Sequence, residues 1–226
     1  MMSKSNCIYI PDEHQRYDPD LFVIPKHYRD SIDYVLIPHG LLLDRIERLA
    51  QMIIEDYGGQ SVTLLCVLKG GFRFCQDIMA TVERLNTSAE KTVQMNIDFI
   101  RAKSYSNNQQ GEIQLSTHGP ALDLLNKNVL VVEDCIDSGR TMKLLLAKLS
   151  DEKPKSLKTI CLVLKRNKKN TTGYRPDYLG FDIPDTWITG YGGFDYNEYF
   201  RDLNHVIVLN AHGRQKYDTS KTSQEG

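Results

Sequence analysis

Residues 128–149 read NVLVVEDCIDSGRTMKLLLAKL, and the order of residue types here decides the fold class. Val129–Val132 is an unbroken apolar run, the pattern of a strand buried on both faces, as in a parallel sheet. Glu133 and Asp134 follow at the expected carboxyl edge of that strand. A short turn with Asp137, Ser138, Gly139 and Thr141 comes next. Met142, Leu145, Leu146 and Leu149 then recur at helical spacing, so the turn opens a helix. At a strand, small polar loop and helix N-terminus, backbone N–H groups converge on an anion. Ser138 and Thr141 add hydroxyl donors, and Gly139 lets the main chain come close to a ligand. An ordinary turn needs one such residue as a helix cap, not five.

Three carboxylates in and before an anion cradle need their own explanation. A ligand with a phosphate at one end and a vicinal diol nearby supplies it. Ionised carboxylates only accept hydrogen bonds, and sugar hydroxyls donate them. The stretch therefore reads as a ribose 5-phosphate site, with the phosphate on Asp137–Thr141 and the ring hydroxyls on Glu133 and Asp134. A Walker-type loop is excluded, since no G-x-x-x-x-G-K-[ST] occurs, and kinase chemistry loses its support with it.

Working outward, Leu41–Tyr57 carries apolar residues at i, i+3, i+4, i+7 and predicts an amphipathic helix stopped by Gly58-Gly59. Val62–Leu68 is a second buried-strand run, ending at Lys69-Gly70-Gly71 and passing into a helix through Cys75, Ile78, Met79, Val82 and Leu85. Such strand–helix alternation predicts an α/β fold, a parallel-sheet core flanked by helices. Ligands of such sheets bind beyond the carboxyl ends of the strands, so Lys69-Gly70 and Glu133–Thr141 should lie side by side. Lys69 and the N–H groups of Gly70-Gly71 suit a second anionic group. Val93–Ile100 alternates apolar with polar, a half-exposed strand near a sheet edge. Arg101–Ala121 turns polar and reads as a lid over the site, or else as a surface hairpin around Gly111–Thr117. A lid would keep water from a reactive oxocarbenium-like centre. Leu157–Leu164 is a further core strand ending at Lys165, and His205–Val208 gives the last strand. Residues 1–37 read as irregular, punctuated by prolines, and 218–226 as a polar tail unable to bury surface.

The whole composition is consistent with this. The 226 residues suit one domain, and 41% hydrophobic with 25% charged residues describe an ordinary globular protein. Lys+Arg 28 against Asp+Glu 29 gives net charge −1, which removes any global drive toward nucleic acid. The run Lys165–Lys169 lacks aromatic interleaving and reads as a solvated turn in which only Lys165 is placed for chemistry. No apolar run nears the roughly 18 residues of a membrane span, and MMSKSNCIYIPDEH has no apolar core of signal-peptide length. Five cysteines without a C-x-x-C pair argue for a reducing compartment and against a disulfide frame or zinc site, so a cytoplasmic protein is expected.

VVEDCIDSGRT closely resembles the signature of the hypoxanthine-guanine phosphoribosyltransferases, and DYNEYFRDLNH at 195–205 resembles their base-binding region. The resemblance runs over about residues 8–217, with separated motifs in the same order. It implies one type I phosphoribosyltransferase domain over 1–217. Its core is about 38–185, and a small hood comes from the N-terminal segment and about 186–217. It also implies transfer of the 5-phosphoribosyl group from 5-phosphoribosyl 1-pyrophosphate (PRPP) to hypoxanthine or guanine, with Mg²⁺, in a dimer or tetramer. Carried over residue by residue, the PRPP or nucleotide site is Lys69, Gly70, the run Glu133, Asp134, Cys135, Ile136, Asp137, Ser138, Gly139, Arg140 and Thr141, and Arg201. The family often has a cis peptide at the Leu68–Lys69 position, and its lid carries a Ser-Tyr pair matched by Ser104-Tyr105. Trp187 stands where an aromatic stacks on the purine, Ile188 offers backbone contacts, and Lys165 can donate to a 6-oxo group where adenine has an amino donor. Asp137 is implied as the group that exchanges the purine N7 proton. Asp195, with Glu133 and Asp134, is implied near the metal.

The sequence also departs from the family pattern. Ser138 stands for the common threonine and keeps its hydroxyl, and Trp187 stands for phenylalanine or tyrosine. At Gly190–Tyr196, GYGGFDY has Gly192-Gly193-Phe194 where the family typically has Ala-Leu, one residue more. Two glycines and an insertion are expected to loosen the loop that carries Asp195. Weak or absent catalysis with retained nucleotide binding is thus the alternative reading. Cys135 sits among acids that disfavour its thiolate, so it reads as filler.

Overall fold

The computed structural model describes residues 6–104, 113–117, 122–168, 170 and 173–219. Its elements are β1 (Ile8–Tyr9), β2 (Ile32–Ile37), α1 (His39–Tyr57), β3 (Ser61–Val67), α2 (Gly71–Asn86), β4 (Gln94–Ser104) and β5 (Ile113–Thr117), followed by β6 (Asn128–Ile136), α3 (Arg140–Ser150), β7 (Ser156–Arg166), β8 (Tyr178–Pro184), β9 (Thr189–Gly190), β10 (Val206–Leu209) and α4 (Ala211–Lys216). They fall into two compact units, Met1–Ile10 with Arg45–Asp185, and Pro11–Asp44 with Thr186–Gly226.

The first unit holds a seven-stranded sheet in the order β1-β8-β7-β6-β3-β4-β5, parallel except for the β4–β5 hairpin. The apolar runs of β3 and β6 are its centre, and Leu64, Leu65, Leu130 and Val131 are fully buried. The apolar stripe of α3 (Met142, Leu145, Leu149) packs with Leu65, Val67, Val129 and Val131. Burying apolar surface in this way stabilises the unit by about 25 cal/mol per Å².

Three expectations change here. The polar segment after Ile100 is not wholly a loop: β4 runs on to Ser104 and pairs with β5, Ile100 against Thr117 through Ser104 against Ile113. Residues 174–185 contain a core strand, β8, whose pattern is broken by Gly180 and Asp182. Gly180 is required because a Cβ there would lie 2.5 Å from the Leu162 carbonyl oxygen on β7. Asp182 is buried but paired, with Arg166 Nη1 at 2.9 Å and Arg175 Nη1 at 3.0 Å. Residues 1–37 are not all irregular either, since β1 joins the large sheet and β2 forms a strand of the second unit.

That second unit has a three-stranded antiparallel sheet, β2-β10-β9. Its core gathers Ile24, Tyr28, Val35, Phe200, Leu203, Ile207 and Tyr217. Tyr28 stacks on Phe200 at 4.1 Å, and its hydroxyl accepts from Phe200 N (3.0 Å) and donates to Asp202 (2.9 Å).

Candidate active site

In the large sheet the order reverses between β3 and β6: β3 leads to β4 on one side, β6 to β7 on the other. Connections leave in opposite directions there, which opens a crevice at the strand carboxyl ends. A cavity of about 300 Å³ occupies that position, lined by Val67, Leu68, Ala102, Glu133, Cys135, Ile136, Asp137, Ser138, Gly139, Thr141 and Met142. Of these, Val67, Leu68, Ala102 and Met142 carry no polar side chain, so residue chemistry gave no signal for them. Ala102 in particular lay in the segment read as a lid.

The carboxylates do not lie beyond the strand. Glu133, Asp134, Cys135 and Ile136 are still part of β6, because β7 extends beside them and pairs Cys135 with Val163 and Ile136 with Leu164. The turn proper is Asp137–Gly139. Gly139 has φ 72° and caps α3 without any side-chain cap bond. The nearest approach to a cap is weak, with Arg140 N 3.4 Å from Ser138 Oγ. Asp137 and Arg140 are exposed, whereas Ser138 and Thr141 are half-buried. A helix N-terminus with two hydroxyls beside it is suited to a phosphate.

The β3–α2 turn lies against β6. The Leu68–Lys69 peptide is cis, as the resemblance implied. A Cβ on Gly70 would be 2.6 Å from Asp134 Cγ, and one on Gly71 would be 2.9 Å from the Val132 carbonyl oxygen. Glycines at 70 and 71 therefore let this turn close on the acidic end of β6, and the two motifs are neighbours as expected. Asp134 Oδ1 also accepts from Cys135 N at 2.9 Å. Burial first, and the Asp134 charge second, push the Glu133 carboxyl well above the usual range. Burial, more than the acidic neighbours, raises the Cys135 thiol, so the thiolate is disfavoured for a different main reason than the sequence suggested. Lys165, half-buried at the end of β7, is near enough for its charge to oppose that rise. Ser104 ends β4, and Tyr105 lies outside the described residues, as does most of the segment read as a lid.

In the second unit, Trp187 is 58% exposed and meets Tyr196 edge-on at 6.2 Å, so it is not a core tryptophan. Ile188 is buried next to it. The loop that follows does not show the looseness expected of two glycines. Gly190 and Phe194 exchange backbone bonds, Tyr191 N donates to His205 O at 3.1 Å, and Gly193 N donates to Tyr191 O at 2.7 Å. Arg201 pairs with Asp195 Oδ1 at 2.7 Å and with Glu198 Oε2 at 3.1 Å.

Comparison with known proteins agrees with this chemistry. The model of the phosphoribosyl transferase domain matches residues 36–198. Hypoxanthine-guanine phosphoribosyltransferase of Bos taurus is 46% identical over 218 residues, 96% of this chain and 99% of that protein. Phosphoribosyltransferase domain-containing protein 1 of Homo sapiens is 47% identical over 211 residues, 93% of each chain. The crystal structure of hypoxanthine-guanine phosphoribosyltransferase from Schistosoma mansoni in complex with IMP aligns with a TM-score of 0.77 and 34% identity, covering 94% of this chain and 99% of that one.

Proposed function

This chain belongs to the phosphoribosyltransferase family, with hypoxanthine-guanine phosphoribosyltransferases among its relatives over nearly its full length, and from that membership we infer the reaction and assign its residues. The protein is a purine-salvage glycosyltransferase of the type I phosphoribosyltransferase fold. It transfers the 5-phosphoribosyl group of PRPP to N9 of hypoxanthine or guanine. The C1–O bond to pyrophosphate breaks, the C1–N9 bond forms, and IMP or GMP leaves with pyrophosphate. The observation that carries the assignment of residues is the loop at the β3/β6 switch point. There a helix N-terminus, the hydroxyl residues Ser138 and Thr141, the strand carboxylate Glu133 and the loop carboxylate Asp137 line one crevice.

We assign the 5-phosphate to Ser138, Gly139, Arg140 and Thr141, with the Cys135 and Ile136 backbone shaping the approach. The ribose hydroxyls go to Glu133 and Asp134. Burial raises the Glu133 carboxyl above its usual range, and a hydroxyl donor or a cation beside it would favour its charged form. Lys69 and Gly70 take the departing pyrophosphate. Preorganised groups of this kind typically carry the largest catalytic contribution, about 10²–10³-fold for one donor. Asp137, exposed at the lip of the cavity, holds and returns the N7 proton. Lys165 selects a 6-oxo group, because adenine would leave two donors facing each other. Trp187 offers a ring face, Ile188 its backbone, Arg201 a cation and Asp195 an oxygen ligand. Ser104 and Tyr105 are assigned to a closing segment.

Mg²⁺ suits these hard oxygen donors. Among the described residues no three His, Cys, Asp or Glu side chains converge as a self-sufficient metal site. That is the manner of Mg²⁺, which relies on substrate phosphates and water with one or two carboxylates. When bound, it neutralises charge on the pyrophosphate. We place the enzyme in the cytoplasm, since none of the five cysteines is in a disulfide, and, from the family resemblance, as a dimer or tetramer. Light scattering on the purified chain decides the assembly.

The deciding assay offers hypoxanthine, guanine, xanthine and adenine separately with PRPP and Mg²⁺, followed by absorbance. Turnover of hypoxanthine and guanine with adenine silent is expected. If all four stay inert while GMP binds, the second reading takes over, a nucleotide-binding member with little catalysis. The altered loop at 190–196 is the observation that favours it.

A further inference from the structure

The loop from Gly190 to Arg201 departs from the family pattern by one residue, and its backbone is unusual in a second way. Tyr191, Asn197, Glu198 and Phe200 all have left-handed φ, at 48°, 52°, 68° and 68°, alongside Gly190 and Gly192. Non-glycine residues rarely adopt this conformation and persist in it only where surrounding bonds hold them. Tyr28 holds one end through Phe200 N. In the middle, one side chain bonds to four acceptors. Arg201 Nη1 donates to the carbonyls of Gly192 (3.0 Å) and Gly193 (3.2 Å), Nη2 to Asp195 Oδ1 (2.7 Å), and Nε to Glu198 Oε2 (3.1 Å). Asp195 is fixed from its other side, since Oδ2 accepts from Glu198 N at 2.8 Å.

These are charge-assisted bonds from a rigid, planar donor, and Arg201 and Asp195 are both shielded, at 27% and 30% side-chain exposure. Two of the four acceptors are the carbonyls of Gly192 and Gly193, in the stretch where this chain carries its extra residue. The guanidinium is therefore directed inward on its own loop, and an anion outside would have to compete with four acceptors for it.

We propose that Arg201 is a positioning residue in addition to any contact with pyrophosphate: it sets the 192–198 loop and the Asp195 carboxylate for the purine nucleotide. This deepens the functional reading above and rests on it for its ligand arm. A lysine keeps the charge but not the fork, so Arg201→Lys separates the two roles.

The experiment uses the full chain. Amide hydrogen exchange over 191–200 is measured in the free protein, and affinities for GMP with Mg²⁺ and for pyrophosphate are measured by calorimetry. The expected result for Arg201→Lys is about tenfold faster exchange at 192–198 and about tenfold weaker GMP binding, the loss of one to two charge-assisted bonds. KM for the purine should rise more than KM for PRPP, and pyrophosphate affinity should fall no further than that for GMP. Glu198→Gln, which weakens one arm of the same grip, should give the same pattern with smaller size, and it serves if the lysine variant does not fold. Unchanged exchange with loss confined to pyrophosphate would overturn the proposal and make Arg201 a direct anion ligand. Faster exchange with unchanged GMP affinity would also overturn it, leaving a stabilising contact only. If the wild-type chain binds no GMP, the functional reading fails, and exchange alone judges the grip.

Discussion

Two loops of this protein reach order by opposite means. The turn at 137–141 has one left-handed residue, a glycine, which as N-cap of the helix offers no side chain to it. Its backbone N–H groups and the two hydroxyls gather at the start of one helix. The loop at 190–201 has six left-handed residues and directs the guanidinium of Arg201 at four of its own acceptors. A loop that cradles a phosphate needs little shape but many unspent N–H groups. A loop that presents a ring face and a carboxylate needs a particular shape, and it uses its own donors to obtain it.

The largest effect should come from the first loop. Asp137→Asn is expected to cut turnover by about 10²–10⁴-fold while largely keeping GMP affinity, because the amide cannot take a proton. Steady-state rates beside equilibrium binding check this, and equal loss of both would return Asp137 to a mere loop residue. Next comes Gly70→Ala, which drives a methyl into the Asp134 carboxylate. An overpacking cost of about 1–2 kcal/mol converts to roughly 5–30-fold in kcat/KM for PRPP. Kinetics with PRPP varied and purine saturating show whether Asp134 can turn aside.

A pH experiment is smaller and of a different kind. The folded-state value of Glu133 lies above the usual carboxylate range, so the folded chain holds this proton more tightly than the unfolded one. Stability from that group is present at low pH and is lost as pH rises from the ordinary range through the raised value. Glu133→Gln should therefore melt about 2–4 °C above wild type at pH 8, without ligand, and match it near pH 4. Calorimetry at the two pH values checks it; a lower melting temperature at pH 8 would mean the carboxylate is better paired than its surroundings indicate. Trp187→Phe should do least, shifting KM for the purine by about two- to tenfold, as expected for one partly exposed stacking ring.

The contrast between the loops also governs how much could be read from the chain. The sheet centre was legible because β3, β6 and β7 are continuous apolar runs, a pattern that only two-sided burial explains. The 137–141 turn was legible because its chemistry lies in residue types. Strand β8 was not, since its glycine and aspartate look like turn residues. Their reasons for burial, the Leu162 carbonyl and two arginines, come from other segments of the chain. Strand β5 was legible only as the alternative of a hairpin around Gly111–Thr117, because its pairing with β4 is what makes a strand of a polar stretch. The 190–201 loop misled most. Two glycines suggest slack, whereas the bonds to Arg201 depend on where a side chain eight or nine residues away reaches.

The pairing of β1 with β8 sets Ile8 beside Phe181 and Tyr9 beside Asp182. During synthesis one flank of the large sheet must therefore stay unfinished while the intervening chain is made. At about 5–20 residues per second that wait is roughly 10–30 s. Through this interval β1 has no partner and the ribosome-bound chain exposes the strand edge of β6 and then β7, so its most vulnerable state is a nascent one, and a chaperone that shields open sheet edges would have its effect there.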